Sequence, residues 1–491
     1  MLLMTAPRLH TYDELFDMDI ATYTVIANEM RSGRHLYSEL WDHKPPAIYA
    51  SYYGAQIVAG NGPAHVFLLG LSSAIATLLG IYFAASQAAG RLAGLLAATF
   101  WAIVSADLHL QANQPNTEVF INACTVWAFA LLIRMPSDRN AFGWALAVGA
   151  LIALASLYKT PALAAGGMMA ASIVAAGFTR QSLIQGIVVV AVIALAWIGV
   201  FGYFAATERS AAFVSIVFEF NRIYAGSVWS NVITGMQPEL LVPPVLLQFW
   251  PLLLVTPVGL AFSRDVVSPR ARLLLVAFGL TTFLSVALPG RFFRHYYQLW
   301  LPFLCVSAAW GIAAMHDRMN RGWILPAASA AVIVLLAILQ LHNFSLSPEQ
   351  WSAAKYGDRL LLSKRAADLI HRLLPPEEKF FQWGHHVDLY HFSDRRPVGG
   401  EFRTKHLLEG TQQAERTTQL LTNLQTELPE LVILVAGHDF PPQHPVPQWI
   451  AAHYKPLAAQ PCDREVAARY VFLGRSGGRL ERIQTGPCLR S

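Results

Sequence analysis

The groups able to do chemistry gather near the start of the chain. Asp17, Asp19 and Asp42 and the ammonium of Lys44 fall within Asp13 to Pro46, and Lys44 is fixed in front of Pro45 and Pro46. Glu118, Lys159 and the run Arg291, Arg294 and His295 come later, each at the edge of an apolar stretch. Charged groups beside membrane spans are costly and mark functional sites by default. A basic cluster beside carboxylates at a membrane face suits a substrate whose anionic phosphate is anchored in lipid while a neighbouring hydroxyl loses its proton. A donor made of sugar, phosphate and polyprenyl chain fits that geometry. Plainer roles are open to the same residues. Asp19 suits a helix N-cap, stabilising by about 1 kcal/mol, Glu118 could cap its span, and Lys44 could snorkel at the interface.

The elements that must position these groups follow from composition. Of 491 residues 54% are hydrophobic and 14% charged, which with many separated apolar runs gives a multi-spanning α-helical membrane protein. Spans are expected at 64–86, 92–108, 119–135, 141–158, 161–178, 182–206, 243–263, 271–289, 297–315 and 322–341, about ten crossings. Alternate connections carry Arg91, Arg134 with Arg139, Arg180, Arg264 with Arg270 and Arg272, and Arg318 with Arg321. The positive-inside rule turns these to the cytoplasm and the candidate groups outward. The net charge of +5 therefore reports topology, and with no basic tract interleaved with aromatics it gives no case for nucleic acid.

Three regions result: an extracytoplasmic loop with surface helices over 1–62, a transmembrane domain over 63–341, and a small soluble periplasmic α/β domain over 342–491. In the last, helices are expected over 350–374 and 407–427 and strands at 379–383, 431–436 and 467–473. Cys462 and Cys488 lie there and are open to a disulfide or to two thiols, whereas Cys124 and Cys305 read as small buried hydrophobes. His385 and His386 lack ligand spacing.

The order of motifs carries a resemblance. The run from Asp19 to Tyr23, then Gly33, Tyr37 and WDHKPP from Trp41 to Pro46, resembles the first extracytoplasmic loop of the GT-C glycosyltransferases of the protein O-mannosyltransferase and lipid A aminoarabinose transferase type, a family 39-like group. Ala112 to Phe120 and Gly290 to Pro302 are similar to two later segments of bacterial members, and Phe381 to Gly384 with Arg395 to Pro397 to their periplasmic domain. The resemblance implies a GT-C-like fold in a bacterial-type inner membrane. It also implies inverting transfer of a sugar from a polyprenyl-phosphate donor to an extracytoplasmic lipid, glycan or protein acceptor. Asp19 would polarise the acceptor hydroxyl with Glu118 as a second acid. Lys44, Arg291, Arg294, His295 and Tyr296 would hold the donor phosphate, with Asp17, Asp42 and Lys159 as secondary candidates. No cofactor is called for, and a divalent metal stays open.

Two departures from the pattern matter. Most relatives carry Glu after the catalytic Asp, where this chain has Ile20, and they begin with a span before the loop, so either a short tail crosses the membrane here or the chain begins one helix late. A transporter or flippase, or a non-catalytic binding subunit for lipid-linked saccharides, is the alternative.

Overall fold

The computed structural model describes residues 2–135, 141–262, 267–319, 322–409, 412–437, 441–482 and 488–489. Arg139, Arg264 and Arg321 lie outside them. The first 62 residues form three helices: α1 Leu2–His10, α2 Met18–Arg31 and α3 Ala47–Ala59. Asp17 caps α2, its carboxylate accepting the Ile20 N–H at 2.8 Å. The cap is thus two residues upstream of Asp19, which stands in the first turn with its carboxylate released for other partners. Gly33 at φ 90° and Tyr37 at φ 70° turn the chain after α2. The turn brings Tyr37 Oη to donate to the Lys44 carbonyl at 2.8 Å, and Pro46 then starts α3.

Among the described residues six helices are long and apolar enough to cross a membrane. They include α4 Pro63–Val104, α5 Thr117–Arg134 and the helix Arg180–Ala206. Three shorter apolar helices, Phe142–Tyr158 (α6), Thr160–Ala175 and Trp250–Ala261, stand between them. The 42 residues of α4 break at Ala89 and at Gly90, whose φ of 86° is easy for glycine, so α4 is two segments end to end. Counted so, the ten expected apolar segments are all helical, and the chain is a multi-pass membrane protein. Four of them, the second segment of α4 and the three shorter helices, fall short of full crossing length.

The two ends of the bundle are told apart by contacts. Glu118 at the start of α5 meets Lys159 just past α6, and Asp107 beyond α4 accepts from Gln248 at 3.0 Å and Gln340 at 2.7 Å. At the other end of α5, Arg270 donates to the Leu132 carbonyl at 3.3 Å, two residues before Arg134. The helix ends expected to face outward therefore meet one another, as do two of the arginine-bearing ends.

Beyond Leu341 the helices Pro348–Tyr356 and Arg359–Leu373 replace the single expected one, because Gly357 at φ 63° ends the first. The helix expected over 407–427 is likewise two pieces, Lys405–Leu408 and Gln413–Glu427. A sheet of order β1-β2-β4-β3 joins β1 Phe381–Trp383, β2 Leu431–Val435, β3 Tyr454–Pro456 and β4 Tyr470–Arg475. β1 and β2 are parallel, and β4 is antiparallel to both neighbours. β2 is buried along nearly its whole length, as its unbroken apolar run requires. β3, two of whose three residues are exposed, carries no such signal and was not expected. Cys462 and Cys488 are bonded.

Candidate active site

One cavity of about 630 Å³ opens where the first loop, the foot of the helix at Arg294–Met319 and the C-terminal region meet. Asp17, Asp19, Lys44, Arg294, His295 and Tyr296 line it, so two segments far apart in the chain deliver these expected groups to one space. Asp42, Glu118, Lys159 and Arg291 are not among its lining residues.

Asp19 is the most constrained of these. Its Oδ1 accepts from the Arg403 guanidinium at 3.0 Å, and its Oδ2 from the Asn116 amide at a long 3.5 Å. Arg403 also donates to Thr22 Oγ1, one turn along α2, at 2.9 Å. Burial alone raises the Asp19 carboxyl, but Lys44, Arg403 and His295 outweigh it and hold the group well below the usual carboxylate range. Asp19 is therefore a fixed negative charge facing a cation-lined space.

Lys44 ends a short relay. Tyr49 Oη donates to Asp42 Oδ2 at 2.7 Å, Asp42 Oδ1 meets His43 Nδ1 at 3.2 Å, and His43 Nε2 faces the Lys44 ammonium at 3.4 Å. Burial lowers the Lys44 ammonium, yet Asp19 and Asp42 more than offset this and keep it protonated. Asp42 thus acts from behind, orienting His43 and Lys44.

Glu118 and Lys159 form a buried ion pair at 2.7 Å, and the Lys159 ammonium lies 3.2 Å from the centre of the Tyr296 ring. The pair stands behind Tyr296 and sets the charge under its face. Arg291 is exposed and lies over the Tyr224 ring at 3.9 Å, at the cavity's edge, while Tyr224 itself lines it. Asp17, besides capping α2, accepts from Tyr356 Oη at 2.7 Å. Ile20 is fully buried in the hydrophobic core, so the position where relatives carry Glu does not face the cavity.

Among the described residues no group of three or more His, Cys, Asp or Glu side chains converges as a metal ion would need. The charge partner of Asp19 is a guanidinium. These residues do not fit a divalent metal.

Sequence reasoning missed Arg403 and Lys405, which both reach the cavity from the C-terminal region. The arm bearing them is clamped on the first loop. Trp41 N–H donates to the Gly400 carbonyl at 3.0 Å, Arg416 donates to the Tyr37 carbonyl at 2.6 Å, and the His406 ring stacks on Trp41 at 3.7 Å. Arg396 grips Glu29 with two bonds of 2.8 Å. A Cβ on Gly400 would lie 1.7 Å from the Glu39 carbonyl oxygen, so only glycine allows this approach. The visible signal was slight: two adjacent glycines, Gly399 and Gly400, followed by two cations.

No known family model and no curated protein matches the chain by sequence. Solved structures do. ArnT from Cupriavidus metallidurans bound to undecaprenyl phosphate superposes with a TM-score of 0.57 at 15% identity, over 96% of this chain and 97% of that one. The oligosaccharyltransferase AglB from Archaeoglobus fulgidus, in complex with an inhibitory peptide and a dolichol-phosphate, gives 0.55 at 14%, over 88% and 69%. The chain has a GT-C-like fold. The arabinofuranosyltransferase AftD from Mycobacteria, with a TM-score of 0.50 at 13% identity, shares it over 96% of this chain and 39% of its own length. At such identities the GT-C likeness speaks for the path of the chain, and the site stands on its own geometry.

Proposed function

We propose that this chain is a membrane glycosyltransferase that moves a sugar, with inversion, from a polyprenyl-phosphate donor to a hydroxyl-bearing acceptor on the extracytoplasmic face. The observation that carries this reading is the convergence of Asp19, Lys44, Arg294, His295 and Tyr296 on one cavity at one end of an apolar helix bundle. The likeness to ArnT bound to undecaprenyl phosphate supports a lipid-phosphate donor. The Cys462–Cys488 disulfide supports an oxidising side for the C-terminal region.

In the reaction the acceptor oxygen forms a bond to the anomeric carbon from the face opposite the phosphate. The bond from that carbon to the phosphate oxygen breaks, and its electron pair leaves with the polyprenyl phosphate. Lys44 and Arg294 stabilise the charge that grows on the phosphate, and prearranged charge of this kind usually lowers the barrier more than any other single effect. His295 and Tyr296 line the donor's position. Asp19 accepts the acceptor's O–H in a hydrogen bond and takes its proton as the new bond forms. A carboxylate this acidic accepts the proton late, when the hydroxyl has become strongly acidic, so it orients first and acts as a base second. The Asp42–His43 pair holds Lys44 in place, and Glu118 with Lys159 holds Tyr296.

The test is transfer of a sugar from a synthetic polyprenyl-phosphate donor by the purified full chain in nanodiscs, scored by release of polyprenyl phosphate. Release that requires acceptor and Asp19 supports the reading. Donor that binds tightly yet never reacts, whatever the acceptor, would replace it with a binding subunit for lipid-linked saccharides.

A further inference from the structure

Four consecutive residues just before and at the cap of α5, Asn113 to Asn116, are each bonded to the first loop and its helices. Asn113 Nδ2 donates to Glu14 Oε2 at 2.5 Å. Gln114 Oε1 accepts the Asp17 N–H at 3.1 Å while its Nε2 donates to the Leu15 carbonyl at 2.9 Å. The Pro115 carbonyl accepts from Tyr52 Oη at 3.0 Å. Asn116 closes the series: its Oδ1 accepts from Tyr23 Oη at 3.1 Å and from the Thr117 N–H at 2.8 Å, which makes it the N-cap of α5. Asn116 and Tyr23 are both buried. A segment held at every residue has one way to sit.

These bonds fix which way the Asn116 amide points. A carboxamide has one acceptor oxygen and an NH₂ with two donors, and two donors already meet the oxygen. The NH₂ therefore faces Asp19 Oδ2, at 3.5 Å. Turned over, the amide would set its oxygen against the Asp19 carboxylate and its NH₂ against the Thr117 N–H, losing every one of these bonds. Asp19 Oδ1 is taken by the Arg403 guanidinium at 3.0 Å. The two carboxylate oxygens are thus held unequally, one by a charge-assisted bond and the other by a long bond from a neutral amide. An ionised carboxylate oxygen has room for two donors, so Oδ2 is the one open to a further O–H. Asp19 lines the cavity and Asn116 does not, so the amide acts through Asp19.

We propose that Asn116 is a positioning residue, which sets the plane of the Asp19 carboxylate and makes Oδ2 the oxygen that receives the acceptor's proton. This rests on the transferase reading for the acceptor and on the contacts alone for the hold on Asp19. In that reading the acceptor O–H bond breaks toward Oδ2 and its electron pair forms the bond to the anomeric carbon, while the pair of the breaking bond leaves with the polyprenyl phosphate. Arg403 on Oδ1 and Asn116 on Oδ2 keep the carboxylate from turning meanwhile.

The variant N116D separates positioning from capping. Aspartate caps a helix as well as asparagine, and its carboxylate still accepts from Tyr23 and Thr117, so only the donor toward Asp19 is lost, to a like charge. In the full chain in nanodiscs, N116D is expected to lower kcat at least about tenfold, a loss of roughly 1.4 kcal/mol, with undecaprenyl phosphate affinity within about twofold as the control for folding. N116S keeps a capping oxygen and adds no charge, and should lower kcat in the same direction by less; it carries the test if N116D does not fold. In the D19N background N116D should cost less than about twofold, because two residues that act through one contact are not additive. Unchanged kcat in both variants, or an equal loss with and without D19N, would overturn the positioning role. A second measurement needs no turnover: infrared difference spectra against D19N isolate the carboxyl band. Lys44, Arg403 and His295 face Asp19, with the phenols of Tyr23, Tyr52, Tyr296 and Tyr356 around it, and all are the same in both proteins. The acid form should appear at a higher pH in N116D than in the unsubstituted protein, whichever of the two coupled carboxyls takes the proton. Appearance at the same pH would sever Asn116 from Asp19. A shift in a protein that transfers no sugar would instead sink the transferase reading and leave the contact standing.

Discussion

Asp19 and Arg403 form a pair in which each constrains the other. The carboxylate is held ionised far below its ordinary range, with Lys44 and Arg403 the principal causes against burial. Asp19→Asn keeps the size and removes the charge, so transfer should fall by about 10²- to 10⁴-fold while polyprenyl-phosphate binding is retained. Stopped-time assays of polyprenyl phosphate release measure this, and unchanged turnover would free Asp19 from its role. Arg403→Gln tests the pair from the other side. A depressed pKa means that Asp19 stays charged down to and below the ordinary carboxylate range, near pH 4, so it adds no acid limb to the rate above that. Removing the guanidinium raises the Asp19 pKa, so any fall of the rate with acid should move to higher pH. A pH profile of kcat that does not move would show that Arg403 does not set the charge on Asp19.

At the scale of elements, the site depends on how the C-terminal region grips the first loop. Two grips are distinct. The arm around Gly400 delivers Arg403, and Gly400→Val would force the Glu39 carbonyl and the arm apart. Activity should drop sharply with little change in the membrane helices, as read by circular dichroism, because the backbone that the new side chain meets is that of the first loop. The second grip is a buried polar knot. Lys355 on the helix Pro348–Tyr356 donates to Glu14 at 2.7 Å and to Asn113 at 2.5 Å, tying the first loop, the segment before α5 and the C-terminal region together. Removing one partner of a fully buried pair leaves an unpaired charge and costs about 3–5 kcal/mol. Lys355→Met alone should therefore lower the thermal unfolding midpoint in detergent more than Glu14→Gln and Lys355→Met together. Additive losses would mean that the two groups do not act as a pair.

For the whole molecule, the C-terminal region carries the Cys462–Cys488 bond and one wall of the cavity, and the proposed function needs both on the outer face. A membrane-impermeant maleimide is expected to label these cysteines in intact spheroplasts only after mild reduction. Labelling without reductant would mean that the two thiols are free, whereas labelling only in inverted vesicles would turn the protein over and end the extracytoplasmic reading. Much of this architecture was legible in the chain itself. Runs of apolar residues long enough to cross a bilayer are local in sequence, so the ten helical segments, the buried run of β2 and the loops that carry Asp19, Lys44 and Arg294 could be read directly. Partnerships across long distances could not. That Asp17 and not Asp19 caps α2, and that Glu118 is spent on Lys159, depends on how neighbouring helices dock. The same holds for Arg403, which reaches Asp19 across 384 positions because a pair of glycines lets one backbone lie on another. Hydrophobic burial is written residue by residue, whereas the pairing of charges is decided by the fold, since an ion pair has no periodicity and gains its strength from the burial that only packing supplies.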